Sequence, residues 1–382
     1  MIFLLWLAGL GAAAQFAKFA VPFAFVRAQY AGAGVEIGWL LTLISAVGAI
    51  LGMMAGVFVV RFGCARVLVL SLLLGAGLSF WQASLPGLTV MLLSRLIEGL
   101  SHLAIVVAAP TLIAQISTDR FRDMSMTLWS TFFSVSFALV AWFGLPYVAT
   151  EGLSSLLVVH GVFMLVVAVL LVAMSVLSRD ASPKVTTPLN IKAVARQHIR
   201  AYRSPFISAP AFGWLFYTLS FVSLLAVLPD LLPDNSRAIV AGLMPLASIV
   251  VSLVVVSAML ILFSAVTIAI LGFALAVLTI GLFFLGLPLI PICIGLFGVL
   301  GLVQGASFAA VPQLNTTEED QALAYGAMAQ MGNLGNLLGT PLLLAVLGYT
   351  DVSGLLTAVA GLYFLGILVH VFLARSRAAI SR

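Results

Sequence analysis

The feature that most limits what this chain can become is a succession of long apolar runs, most unbroken by charge and separated by short polar turns. Crossing a hydrocarbon layer about 30 Å thick takes roughly 20 helical residues at about 1.5 Å each, and these runs reach that length. A transmembrane β-barrel would instead alternate apolar and polar residues in segments of about ten. Composition decides the rest. Of the 382 residues, 63% are hydrophobic and only 8% charged. A soluble domain carries about 25% charged residues, so no water-facing surface can be built from this chain. The reading is an all-α polytopic membrane protein. The net charge of +5 sits in no basic soluble domain, which argues against nucleic-acid binding; it fits a bias of positive charge toward one set of loops.

At about 20 residues per span, twelve transmembrane helices are expected, near residues 2–26, 37–60, 67–86, 88–114, 124–148, 153–177, 207–229, 238–258, 262–285, 287–311, 322–347 and 351–374. The weakest boundary is between the eighth and ninth, where no charge occurs from Ala238 to Leu287. One helix across both would far exceed the bilayer, so a turn is placed near Met259–Phe263. Gly11-Ala12-Ala13-Ala14 resembles a signal-cleavage site, but no basic segment precedes it, and the first helix is read as retained. With the N-terminus inside, thirteen of the seventeen Lys and Arg fall on the cytoplasmic side and only Arg27 and Arg237 on the other. That asymmetry predicts both termini cytoplasmic.

The chain divides on this reading into a six-helix bundle at 1–177, a cytoplasmic linker at 178–206, a second bundle at 207–374 and a tail at 375–382. Within the linker, Ser182 to Pro188 reads as flexible. Asn190 could cap a short helix carrying Lys192, Arg196 and Arg200, which would rest on the anionic leaflet through Ile191, Val194 and Ile199; a solvated linker is the alternative. Cys64, in an expected cytoplasmic turn, and Cys293, in an apolar run, offer no disulfide and no metal site.

The halves share sequence as well as span count. Leu96-Ile97-Glu98-Gly99-Leu100-Ser101 in helix four is matched by Leu302-Val303-Gln304-Gly305-Ala306-Ser307 in helix ten, and each run continues to a proline, Pro110 and Pro312. Gly144-Leu145-Pro146 and Gly339-Thr340-Pro341 pair likewise. Such matches predict two pseudo-symmetric six-helix bundles. The turn Gly56-Val57-Phe58-Val59-Val60-Arg61-Phe62-Gly63-Cys64-Ala65-Arg66, with Arg95 and Gly99 in helix four, resembles the signatures of the major facilitator superfamily. Gly56, Arg61, Gly63 and Arg66 fit the family's gating loop, while Val60 stands where that family carries an acid. The second copy of the loop signature and the Gly-Pro motif typical of many antiporters are absent.

Function concentrates in the few charges at membrane depth, where each costs about 2.5–3.5 kcal/mol on insertion scales. The resemblance implies that helices one, four, seven and ten line a central cavity. The matching helices carry Gln15, Lys18, Arg95, Glu98, His102 and Gln304. Arg95, Glu98 and His102 share one helix face through i+3 and i+4 spacing. Lys18 and Arg95 are read as cationic contacts for an anionic substrate, and Glu98 with His102 as a proton site; the competing reading is that Arg95 and Glu98 form a structural pair touching no substrate. Trp214 and Tyr217 are candidate substrate contacts or packing residues. Gly48 and Gly52 with Gly56, and Gln330, Asn333 and Asn336 with Gly332, Gly335 and Gly339, are read as packing between the halves, with cavity lining as the alternative for the amides. His160 and His370, on helices that the resemblance makes supporting ones, are read as structural.

The expected activity is secondary transport of a small solute by alternating access, specifically proton-coupled symport of an organic anion. No nucleotide-binding loop is present to supply another driving force. The alternatives are an efflux permease for drug-like compounds, or a non-transporting sensor that kept the fold; intramembrane catalysis lacks its motifs. No cofactor or metal is expected. The expected partners are a small-molecule substrate, protons and the lipid bilayer, in a monomer of the inner membrane of a bacterium.

Overall fold

The computed structural model describes residues 1–33, 35–174 and 191–380. Arg179, Lys184, the Ser182–Pro188 stretch, Asn190 and Arg382 lie outside the described residues. Twelve helices are long and apolar enough to cross a membrane. They are α1 Ile2–Ala20, α2 Glu36–Ala55, α3 Cys64–Gln82, α4 Leu88–Ile116, α5 Met124–Glu151, α6 Leu153–Ala173, α7 Ser208–Val227, α8 Asn235–Met259, α9 Ala265–Phe284, α10 Leu289–Leu314, α11 Leu323–Tyr349 and α12 Val352–Ile380. Large apolar side chains stay exposed midway along these helices, among them Leu70, Val169, Leu278 and Phe372. In water such faces would aggregate; in a bilayer they meet acyl chains.

Several ends differ from expectation for local reasons. α1 stops at Ala20 and a short helix, Phe23–Gln29, follows Pro22, which has no N–H to continue the ladder. The helix begun in α2 runs on to Phe62, and the polar turn after it shrinks to Gly63, whose φ of 92° suits glycine. Cys64 is therefore the first residue of α3 and buried, instead of lying in a loop. The turn between α8 and α9 falls after Met259, and Ser264 caps α9 by accepting from the Thr267 N–H. α5 and α8 each contain a π-helical stretch, Val140–Gly144 and Val251–Val256. The expected tail is helical through Ile380.

The chain divides into two compact units, Met1–Pro188 and Leu189–Arg382. In the first, α1 packs on α4, α5 and α6, while α3 packs on α4 and α6, and α2 on α4. In the second, α7 packs on α10, α11 and α12, with α9 against α10 and α12, and α8 against α10. The same pairing thus occurs twice, as the repeat in sequence implies.

The glycines of α11 act inside the second unit. A Cβ on Gly335 would strike Thr218 Oγ1 and lie 2.9 Å from both the Leu215 carbonyl and the Leu219 nitrogen of α7; Gly339 faces the Leu219 carbonyl, and Gly332 faces Trp214. The stripe read as packing between the halves lets α7 and α11 approach backbone to backbone. Gly335→Leu is therefore expected to destabilise this unit by about 3 kcal/mol, the upper end for overpacking, because backbone cannot yield. Thermal unfolding of the purified variant measures it.

The short helix Ile191–Arg203, assigned by sequence to the linker, belongs to the second unit. Ala201 is buried, Tyr202 Oη donates to Gln330 Oε1 at 2.8 Å, and Arg200 pairs with Asp320 at 2.6 Å. Asp320 sits in the first turn of the helix Glu318–Tyr349, its N–H capped by Thr317. Burial raises the Tyr202 pKa above its usual value. The docked phenol thus holds its proton more tightly than an undocked one. The docking it provides is complete below about pH 10 and is lost as pH climbs from there through the docked pKa. Tyr202→Phe should cost about 1 kcal/mol, read as faster proteolysis of this helix at neutral pH.

Candidate functional site

In the first unit the polar residues converge on one point. Lys18 leaves α1 and places Nζ 2.6 Å from Glu98 Oε1 of α4 and 2.8 Å from Ser79 Oγ of α3. Glu98 Oε2 accepts from Arg95, one turn earlier on α4, and from Gln82 Nε2 of α3 at 3.0 Å. One carboxylate thus bridges two cations, and all three residues are at most 1% exposed. Buried charge survives only when paired and fully hydrogen-bonded, and here both carboxylate oxygens are used.

Arg95 does more than neutralise Glu98. Its Nε donates to the Leu40 carbonyl at 2.8 Å and Nη1 to the Gln15 carbonyl at 2.8 Å, tying α4 to α1 and to the start of α2. Gly99, one turn on, permits that approach, since a Cβ there would collide with the Ile44 carbonyl of α2. The Arg-x-x-x-Gly spacing has this physical basis: the arginine reaches carbonyls that the glycine lets come close. Arg95 Nη2 has no partner among the described residues and is fully buried.

Sequence reasoning missed three members of the cluster. Ser79 and Gln82, spaced i+3 on α3, face Glu98 and Lys18; Gln82 Nε2 also reaches Ser94 Oγ at 3.0 Å. His160, read as structural, stands at the centre. Its Nδ1 is 2.7 Å from Ser79 Oγ and 3.4 Å from Lys18 Nζ, and its Nε2 is 3.0 Å from the Gly11 carbonyl. A carbonyl only accepts, so Nε2 carries the proton and Nδ1 accepts from Ser79. The signal was present as a histidine and an i,i+3 polar pair inside apolar spans. The resemblance makes α6 a supporting helix, and α3 is not among the helices it makes cavity-lining.

The remaining candidates are distributed as follows. Gln15 Nε2 bonds Ser101 Oγ at 3.0 Å. His102 faces away from the carboxylate: Nδ1 meets the Ala12 carbonyl at 3.1 Å, and the ring lies edge-on to Phe16 and Phe133. In the second unit, Gln304 Oε1 accepts from Tyr217 Oη at 2.8 Å and from Ser248 Oγ at 2.7 Å. Trp214 stacks on Tyr217, and Tyr217 on Phe221, at centroid distances of 4.7 and 4.8 Å. Tyr217 and Ser220 of α7 occupy the spacing that Gln15 and Lys18 hold on α1, and Ser220 Oγ accepts from Tyr363 Oη at 2.8 Å. The charged centre of the first unit is therefore answered by a neutral one in the second. Gln330 bonds Tyr202 as described, Asn333 Nδ2 donates to the Ala329 carbonyl, and Asn336 is buried. Gly48 and Gly52 are buried on α2; Gly56 and Arg61 lie on its continuation to Phe62, and Arg66 is exposed in the first turn of α3.

Fold and site together define an integral multi-pass membrane protein built from two six-helix units around buried polar centres. The chain belongs to the Major Facilitator Superfamily, whose profile matches residues 2–340, and that family makes it a membrane transporter. Among solved structures, the crystal structure of the human organic anion transporter MFSD10 (TETRAN) is similar, with a TM-score of 0.65 and 16% identity over 97% of this chain and 98% of that one. At that identity the likeness is one of fold. No curated protein sequence matches significantly.

Proposed function

We propose that the chain is a proton-coupled symporter of a small organic anion. The observation that carries this reading is the single carboxylate, Glu98, buried between Lys18 and Arg95 in an interior otherwise poor in charge. With Glu98 ionised the cluster holds one net positive charge. Protonating Glu98 adds a second, and an entering anion removes it. Proton and anion therefore favour each other's binding, the sign required for symport, and by linkage the preference is reciprocal. Exchange of a proton for an organic cation would need the opposite sign.

In this scheme Lys18 and the unpartnered Arg95 Nη2 hold the substrate's anionic group. Gln15 supplies a further polar contact. Glu98 carries the proton, with His102 one turn away on the same helix. The similar fold of a protein described as an organic anion transporter supports this class of substrate. Gly63, with Gly56 and Arg61 on the helix before it and Arg66 on the helix after it, forms the gating turn; the termini face the cytoplasm, and the working unit is a monomer in the inner membrane of a bacterium. A second reading rests on a specific observation: the two backbone acceptors of Arg95 suit a helix tether, which leaves Lys18 as the cation that trades partners.

Purified protein in liposomes, given a panel of organic acids and a pH gradient acid outside, tests the proposal. Accumulation of one acid, abolished by a protonophore, is expected. Saturable flux of drug-like cations alone would favour the efflux permease, and absence of any saturable flux would favour a sensor.

A further inference from the structure

A cavity of about 470 Å³ opens into the first unit between α1, α5 and α6, a volume in the range of small-ligand sites. Its inner wall includes Leu10 and Leu156, both buried, together with Ala14. Its rim is built of side chains turned outward: Phe143 is 68% exposed, Val159 50%, Leu139 44% and Tyr147 39%. The π-helical stretch Val140–Gly144 forms part of one side, an irregularity that recurs at functional sites. At the floor lie Lys18 and His160. The cavity thus runs from the apolar outer face of the bundle to the charged cluster.

Its position along the helices is consistent across all three. It touches the later residues of α1, the final turns of α5 before the Gly152 turn, and the first turns of α6 after it. It therefore opens within the leaflet on the side of that turn. While Glu98 is ionised, the polar groups at the floor are already partnered. Lys18 faces Glu98, Ser79 and His160; His160 is engaged at both nitrogens; Ser136 Oγ already donates to the Leu10 carbonyl at 3.1 Å. An occupant that carried a charged or hydrogen-bonding head down to that floor would lose its hydration and meet groups already engaged.

We propose that this cavity holds one acyl chain of a membrane lipid, inserted sideways from the leaflet beside the Gly152 turn. The chain completes the apolar wall that keeps water from the Lys18–Glu98 pair on that side. The lipid's headgroup stays at the interface, and specificity is for an unbranched hydrocarbon chain.

Photolabelling tests this. The full chain is placed in nanodiscs of phosphatidylcholine bearing a diazirine midway along one acyl chain, irradiated, and its adducts mapped by peptide mass spectrometry. Adducts on Leu10, Ala14 and Leu156 are expected at no less than a fifth of the yield at Phe143 and Val159. Lipid sliding over the outer surface cannot reach the buried Leu10 and Leu156. Ala14→Phe, or Val159→Phe if the first variant is unstable, should lower the inner-wall adducts at least fivefold and leave those at the lipid-facing Leu165 and Val166 within twofold. Adducts confined to the rim in the unaltered protein would overturn the proposal. So would inner-wall labelling that a filled cavity does not reduce, or stronger labelling there by a water-soluble diazirine carboxylate.

Discussion

Glu98→Gln protein in liposomes is expected to lose at least tenfold in pH-driven accumulation of the substrate anion while still letting the anion equilibrate. The amide is nearly the shape of the protonated acid, so it imitates the proton-loaded state permanently. Lys18 and Arg95 then face each other with no carboxylate between them, and an anion becomes the one available counter-charge. Two consequences are measurable together. Removing one partner of a buried ion pair costs about 3–5 kcal/mol, so the variant should melt lower than the unaltered protein. Added substrate should then raise the melting temperature of the variant by more than it raises that of the original, because binding to the folded state alone stabilises it. Loss of coupling without tighter anion binding would mean that Glu98 matters to the fold and not to the proton.

Arg95→Met and Lys18→Met are expected to part company. Arg95→Met removes the donors to the Leu40 and Gln15 carbonyls at once and leaves Glu98 Oε2 with Gln82 as its one remaining donor. It should cost about 3–5 kcal/mol or more, and poor recovery of folded protein from membranes is the expected result. Lys18→Met leaves the neutral Arg95–Glu98 pair with Gln82 still donating to it. That variant should stay folded, its melting temperature falling by less than half as much, and yet fail to accumulate the anion. Near-normal uptake by Lys18→Met would return the cluster to a purely structural role.

Much of this architecture was legible in the chain because lipid tolerates so few solutions. Apolar length fixed the number of spans, and the turn between α8 and α9 fell where length alone demanded one. Lys18, Arg95 and Glu98 announced themselves as charges where charge is costly, and the structure brings all three together. Their partners were harder to see. Ser79 and Gln82 are ordinary polar residues on α3, and only the packing of α3 against α4 gives them a carboxylate to face. His160 and His102 look alike in sequence. One meets the Lys18 cluster and the other a carbonyl beneath two phenylalanines, a difference set by helix rotation and not by spacing. The glycines of α11 signalled close approach but not to which neighbour, and the neighbour proves to be α7.

The central claim, that an anion and a proton cross together through Glu98, is tested most directly by following both at once. Sealed liposomes containing a pH-sensitive dye are given an inward anion gradient with no initial pH difference. The account predicts that the lumen acidifies in step with anion uptake, one proton per monovalent anion, and that Glu98→Gln protein admits the anion without acidification. Anion uptake with no pH change in the unaltered protein, or equal acidification with Glu98→Gln, would contradict it.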